Sequence, residues 1–148
     1  MRRVLGTVVI LGMLVGSFGA VKAKAAEAQV LQDFQKTVYL IKASNGNTKQ
    51  AASIYLLLQG LVFQVGIPMQ LWVAELEKTI FILMESELFK IAKAETVEEL
   101  VKNMLNSLKG LVLESDGKLT NLRVAVLIPN MPLPRAMGSL TDGVTVFW

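Results

Sequence analysis

The chain contains no histidine and no cysteine, so any acid–base chemistry must come from its carboxylates and amines. A Ser-His-Asp triad, a thiolate nucleophile, an Fe–S centre and the usual zinc ligand sets are all excluded by composition. Two carboxylates working as acid and base need to converge on one point. Glu75/Glu77 and Glu85/Glu87 are spaced i,i+2 and Glu98/Glu99 are adjacent, and on a helix neither spacing shares a face. Glu87 stands apart. Helical projection places it among apolar neighbours, where burial would disfavour its charged form, which makes it the candidate for a perturbed carboxylate.

Other short patterns carry little. Ser115-Asp116-Gly117-Lys118 fits S-x-x-K, the nucleophile motif of serine β-lactamases and penicillin-binding proteins. That chemistry also needs S-D-N and K-T-G partners, which are absent, and Asp-Gly in the middle indicates a turn. No P-loop, G-x-G-x-x-G, calcium loop or metal-ligand cluster occurs in the sequence, so neither a cofactor nor a metal is expected. Pro129-Asn130-Met131-Pro132-Leu133-Pro134-Arg135 contains PxxP, a segment that can dock in an aromatic groove or stiffly join two strands; the second reading is favoured. The expectation is a protein that is not an enzyme.

The elements that must position these residues begin with an address. Arg2 and Arg3 precede an uncharged run of 18 residues, Val4 to Val21. Ala23-Lys24-Ala25 and Ala26-Glu27-Ala28 then fit a signal-peptidase site, so residues 1–28 are expected to be a signal peptide and the mature protein periplasmic or secreted. The alternative is an uncleaved membrane anchor, since the run is long for a signal and holds Gly12 and Gly16 at helix-pairing spacing. Of 15 basic residues four precede Gln29, and of 12 acidic residues only Glu27 does, leaving eleven of each. A mature chain is therefore formally neutral, and no nucleic-acid partner is expected.

In the 29–148 region, Val30, Leu31, Phe34, Val38 and Ile41 form one helical stripe ending at the turn Ser44-Asn45-Gly46-Asn47. Thr48 can cap a second helix running towards Gly66. Gln50 to Ala74 is 25 residues without a charge; interrupted by three Gln and Gly66-Ile67-Pro68, it reads better as core than as a membrane span. Pro68 then starts a third predicted helix, reaching Ile91 with a broad apolar arc. Thr96-Val97-Glu98-Glu99 is a capping box ahead of a fourth, with Glu98 and Lys102 as an i,i+4 ion pair. From about residue 118 the texture is β or extended: Leu122 to Ile128, and the alternating Val144 to Trp148 behind Asp142-Gly143. The aromatic terminal strand resembles the end of outer-membrane barrels, but a helical chain of this length leaves no room for the other strands.

The expected fold is thus mainly α, a compact bundle of about four helices with a short β or extended C-terminal segment. Apolar helices in a neutral chain suit binding a protein partner or an apolar, lipid-like ligand. Tyr55, Phe63, Trp72, Phe81 and Phe89 are the expected anchors, because large aromatics carry most contact area. The alternative is a membrane-associated structural or accessory subunit with one or two transmembrane helices.

Overall fold

In a computed structural model, residues 20–148 are described, with side chains from residue 28 onward. The predicted signal run therefore lies mostly outside the described residues. The fold is mixed α/β, which corrects the expected four-helix bundle. In chain order the elements are α1 (Ala20–Ala43), α2 (Lys49–Val65), β1 (Gln70–Leu76), β2 (Thr79–Glu85), the single turn α3 (Leu88–Ile91), α4 (Ala94–Leu113), β3 (Asn121–Leu127), β4 (Ala136–Ser139) and β5 (Gly143–Val146). The strands form one central sheet in the order β1-β2-β3-β4-β5. Only β2 and β3 run parallel, in the register Ile82↔Val124, and the chain between them crosses over through α3 and α4.

The correction falls on residues 68–91. The expected third helix is instead the antiparallel hairpin β1–β2, paired from Gln70↔Glu85 to Leu76↔Thr79, with α3 behind it. Both faces of this hairpin are covered. Leu71, Val73, Ile80, Ile82 and Met84 point into one cluster, while Trp72, Ala74, Leu76, Phe81 and Leu83 point into another. A strand buried on both sides shows no polar alternation, and its continuous apolar run projects as a wide helical arc. The hairpin loop is Glu77-Lys78, and both residues have positive φ, 49° and 62°. Such a turn favours Asn-Gly, so the signal that would have separated two strands is missing from the sequence.

Three predicted helices are present. The stripe Phe34, Val38 and Ile41 packs α1 on one sheet face. Thr48 caps α2, its Oγ1 accepting from the Ala51 backbone N–H at 3.1 Å, and Gly66 ends it at φ 76°. The fourth predicted helix is α4, with the Glu98–Lys102 pair at 3.3 Å. It starts earlier than the capping box suggests, with Lys93 as N-cap, so Thr96 and Glu99 do not form the cap. The β segment is also larger than expected. Ala136–Ser139 adds a strand between the two that were predicted.

Helices α2 and α4 cover the same sheet face, α2 over β1 and α4 over β3 to β5. Ile54 and Leu58 from α2 and Val97, Val101, Leu105 and Leu108 from α4 meet the β-branched residues of the strands there. On the opposite face α1 contacts only β1 and β2 closely. The turn after α1 also closes the outer edge of β1. Asn45 Oδ1 accepts from the Val73 N–H, Gly46 N–H donates to the Val73 carbonyl, and Asn47 bonds both backbone groups of Glu75. The backbone groups of Val73 and Glu75 are thereby withdrawn from pairing with another chain. The turn predicted from Asn and Gly thus has a second task.

Candidate ligand groove

Because α1 lies over β1 and β2 while the sheet continues to β5, a groove opens beside the helix. It has a volume of about 300 Å³ and runs between α1 and the faces of β2, β3 and β4. Phe34, Val38 and Ile41, one helical stripe, form its wall. Its floor is set by register: Leu83 lies opposite Ala125, and Ala125 opposite Met137. An alanine between two long side chains leaves a hollow where a larger residue would have filled the layer. The small side chain of Ala125 deepens the groove that the position of α1 leaves beside it.

The lining is strongly apolar, and its polar groups sit at the rim. Asp33 and Thr37 come from α1 and Arg123 from β3, where Arg123 is register partner of Phe81. Asp33 accepts from the Gln29 amide at 3.0 Å, and Thr37 donates to the Asp33 carbonyl. Arg123 Nη1 lies 3.8 Å from Asp142 Oδ2, both side chains about a third exposed. That carboxylate oxygen already accepts from the Ser139 hydroxyl at 3.0 Å. A pair this long and this wet contributes less than about 1 kcal/mol. At its other end Lys42 sits 4.3 Å above the Trp72 ring and 3.4 Å from Glu85 Oε1, tying α1 to the hairpin. A concave, apolar site with few polar groups at its mouth has the form of a small-molecule site, and 300 Å³ is at the small end of that class.

The five expected anchors do not form one surface. Phe81 lines the groove, and Trp72 lies on the same sheet face. Tyr55 and Phe89 pack into the core on the other face. Phe63 is 88% exposed on α2. It belongs to an uncharged outward face with Leu56, Leu57, Leu61 and Val65, all at least half exposed. Glu87 is exposed at the start of α3, and its side chain makes no capping bond; the burial expected from a helical projection disappears because the segment is not a long helix. Arg123, Ala125 and Met137 were not legible as site residues. Only the cross-strand register brings them together.

The motif residues have structural partners. Ser115 Oγ donates to the Val112 carbonyl at 2.7 Å and accepts from the Leu119 N–H at 3.0 Å, stitching the turn after α4. Of the carboxylates, Glu75 accepts from Thr48 Oγ1, Glu85 pairs with Lys42 and Glu98 with Lys102. Among the described residues no group of three or more acidic side chains could hold a metal ion. The Pro129 to Pro134 segment joins β3 to β4, with Asn130 at φ 65° in a turn.

Fold and groove together define a mixed α/β domain in which, among the described residues, α1 alone packs on one sheet face. Comparison of the chain with protein-family models, curated proteins and solved structures finds no match.

Proposed function

We propose that this chain is an exported, non-catalytic binding protein whose groove between α1 and the sheet takes an apolar ligand. The observation that carries this reading is the apolar pocket of about 300 Å³ over Ala125, walled by Phe34, Val38 and Ile41. Apolar surface held open in this way gains free energy when a hydrocarbon chain displaces its water. The predicted cleavage points after Ala25 or Ala28 would leave every wall residue in place. Dodecanol should bind the wild-type chain saturably. Ala125→Phe, which fills the hollow, should weaken binding at least about tenfold, the loss of roughly two methylene contacts. Unchanged affinity in a variant that still melts cooperatively would sink the reading.

A second reading, membrane association, is favoured by the outward face of α2. Among the described residues no helix is long and apolar enough to cross a membrane, and α2 buries its inner side on the sheet. Its outer face could still lie against a bilayer. A fragment from Gln29 onward should then float with neutral phospholipid vesicles, and Leu57→Ser with Phe63→Ser should leave it at the bottom of the gradient. Equal flotation of both proteins would count against this role.

A further inference from the structure

We propose that the ligand of the α1–sheet groove is a single-chain amphiphile with a carboxylate head, a medium-chain fatty acid, held at the mouth by Arg123. This inference rests on the groove being a ligand site, and it adds the head group, the chain length and the orientation. A pocket of about 300 Å³ is at the small end of small-molecule sites and suits one medium-length hydrocarbon chain rather than a two-chain lipid. The polar end of such a ligand must stay at the rim, because the floor at Leu83 and Ala125 offers no hydrogen-bond donor side chain.

Two charged groups line that rim, and they select between head groups. Asp33 on α1 would repel an anion, and its carboxylate already accepts from Gln29. Arg123 lies across the groove on β3, and its guanidinium can present two parallel N–H groups to a carboxylate. Its present partner is a weak one. Asp142 is 3.8 Å away, and its Oδ2 is held independently by the Ser139 hydroxyl, while its backbone N–H donates back to Ser139 Oγ. Arg123 can therefore turn to a ligand without dismantling the β4–β5 turn. The chain would run from Arg123 past Ala125 along Val38 and Ile41, towards the end of the groove where Lys42 meets Glu85.

The test is calorimetric titration of the full chain with dodecanoate and with dodecanol, below their micellar or solubility limits. Three proteins are compared: wild type, Arg123→Gln and Arg123→Lys. The expected result is dodecanoate binding about tenfold tighter than dodecanol to wild type. Arg123→Gln should abolish that preference by weakening dodecanoate far more than dodecanol, and Arg123→Lys should keep part of it. Equal binding of acid and alcohol by wild type, or a preference that survives Arg123→Gln, overturns the head-group assignment and leaves the groove standing. Failure of both ligands to bind overturns the groove and this inference together.

Discussion

Arg135→Met is expected to lower the unfolding free energy by about 3–5 kcal/mol in urea titrations, the largest loss of any single substitution considered for this fold. Arg135 is 4% exposed, at the start of β4. Its Nε–H donates to the Phe89 carbonyl at 3.0 Å and its Nη2–H to the Ala92 carbonyl at 2.7 Å. Those carbonyls belong to α3 and to the corner before α4, so one side chain ties the crossover to the C-terminal strands. The guanidinium also stacks 4.4 Å from the Trp148 ring centroid. Methionine matches the stem but leaves two inward carbonyls without donors. Arg135→Lys should be intermediate, since an ammonium cannot span both acceptors or stack as a plane. Trp148→Ala should cost about 1 kcal/mol. A loss below about 1 kcal/mol for Arg135→Met would show that the crossover is held by apolar packing alone.

The second large effect is at Gly138, in the middle of β4. A Cβ there would lie 2.7 Å from Val101 Cγ1, 3.1 Å from Val144 Cγ2 and 3.2 Å from Leu105 Cδ1. Val101 is fully buried and β-branched, so it has little rotamer freedom to move aside. Gly138 thus sets how closely α4 approaches the sheet. Gly138→Ala should cost about 1–3 kcal/mol, and Gly138→Val more. In thermal melts this corresponds to about 4 °C of Tm per kcal/mol. Val101→Ala should recover part of the Gly138→Ala loss, because it removes the closest methyl. A double-mutant cycle without coupling would contradict this packing.

These two residues also show where sequence reasoning ran out. Gly138 sits behind a proline-rich stretch and reads as a loop glycine; only α4 lying across β4 makes its missing Cβ necessary. Arg135 reads as the basic end of a PxxP segment, and its buried role depends on carbonyls more than 40 residues away in the chain. What was legible was local. The stripe of α1, the Thr48 cap, the Gly66 stop and the Glu98–Lys102 pair all follow from residues within one or two turns of each other. The β1–β2 hairpin was not legible, because its two buried faces mimic a helical arc and Glu77-Lys78 carries no turn signature. Treating it as a helix removed half of the parallel pairing, and with it the central sheet.

The groove follows the same division. Its α1 wall could be read from the spacing of Phe34, Val38 and Ile41. Its floor could not, because an alanine within Leu122 to Ile128 means nothing until Leu83 and Met137 are known to flank it. Aromatic content pointed to Phe81 and Trp72 on the right face, but equally to Tyr55 and Phe89 in the core. Contact area identified large residues, whereas the hollow is deepened by a small one.

Methyl NMR of the full chain, titrated with dodecanol, tests the central claim most directly. The methyl signals of Ala125, Met137, Val38 and Ile41 should shift together and saturate, while those of Leu56, Leu57 and Val65 on α2 stay in place. Saturable shifts confined to the α2 methyls, or no saturable shifts at all, would contradict the account.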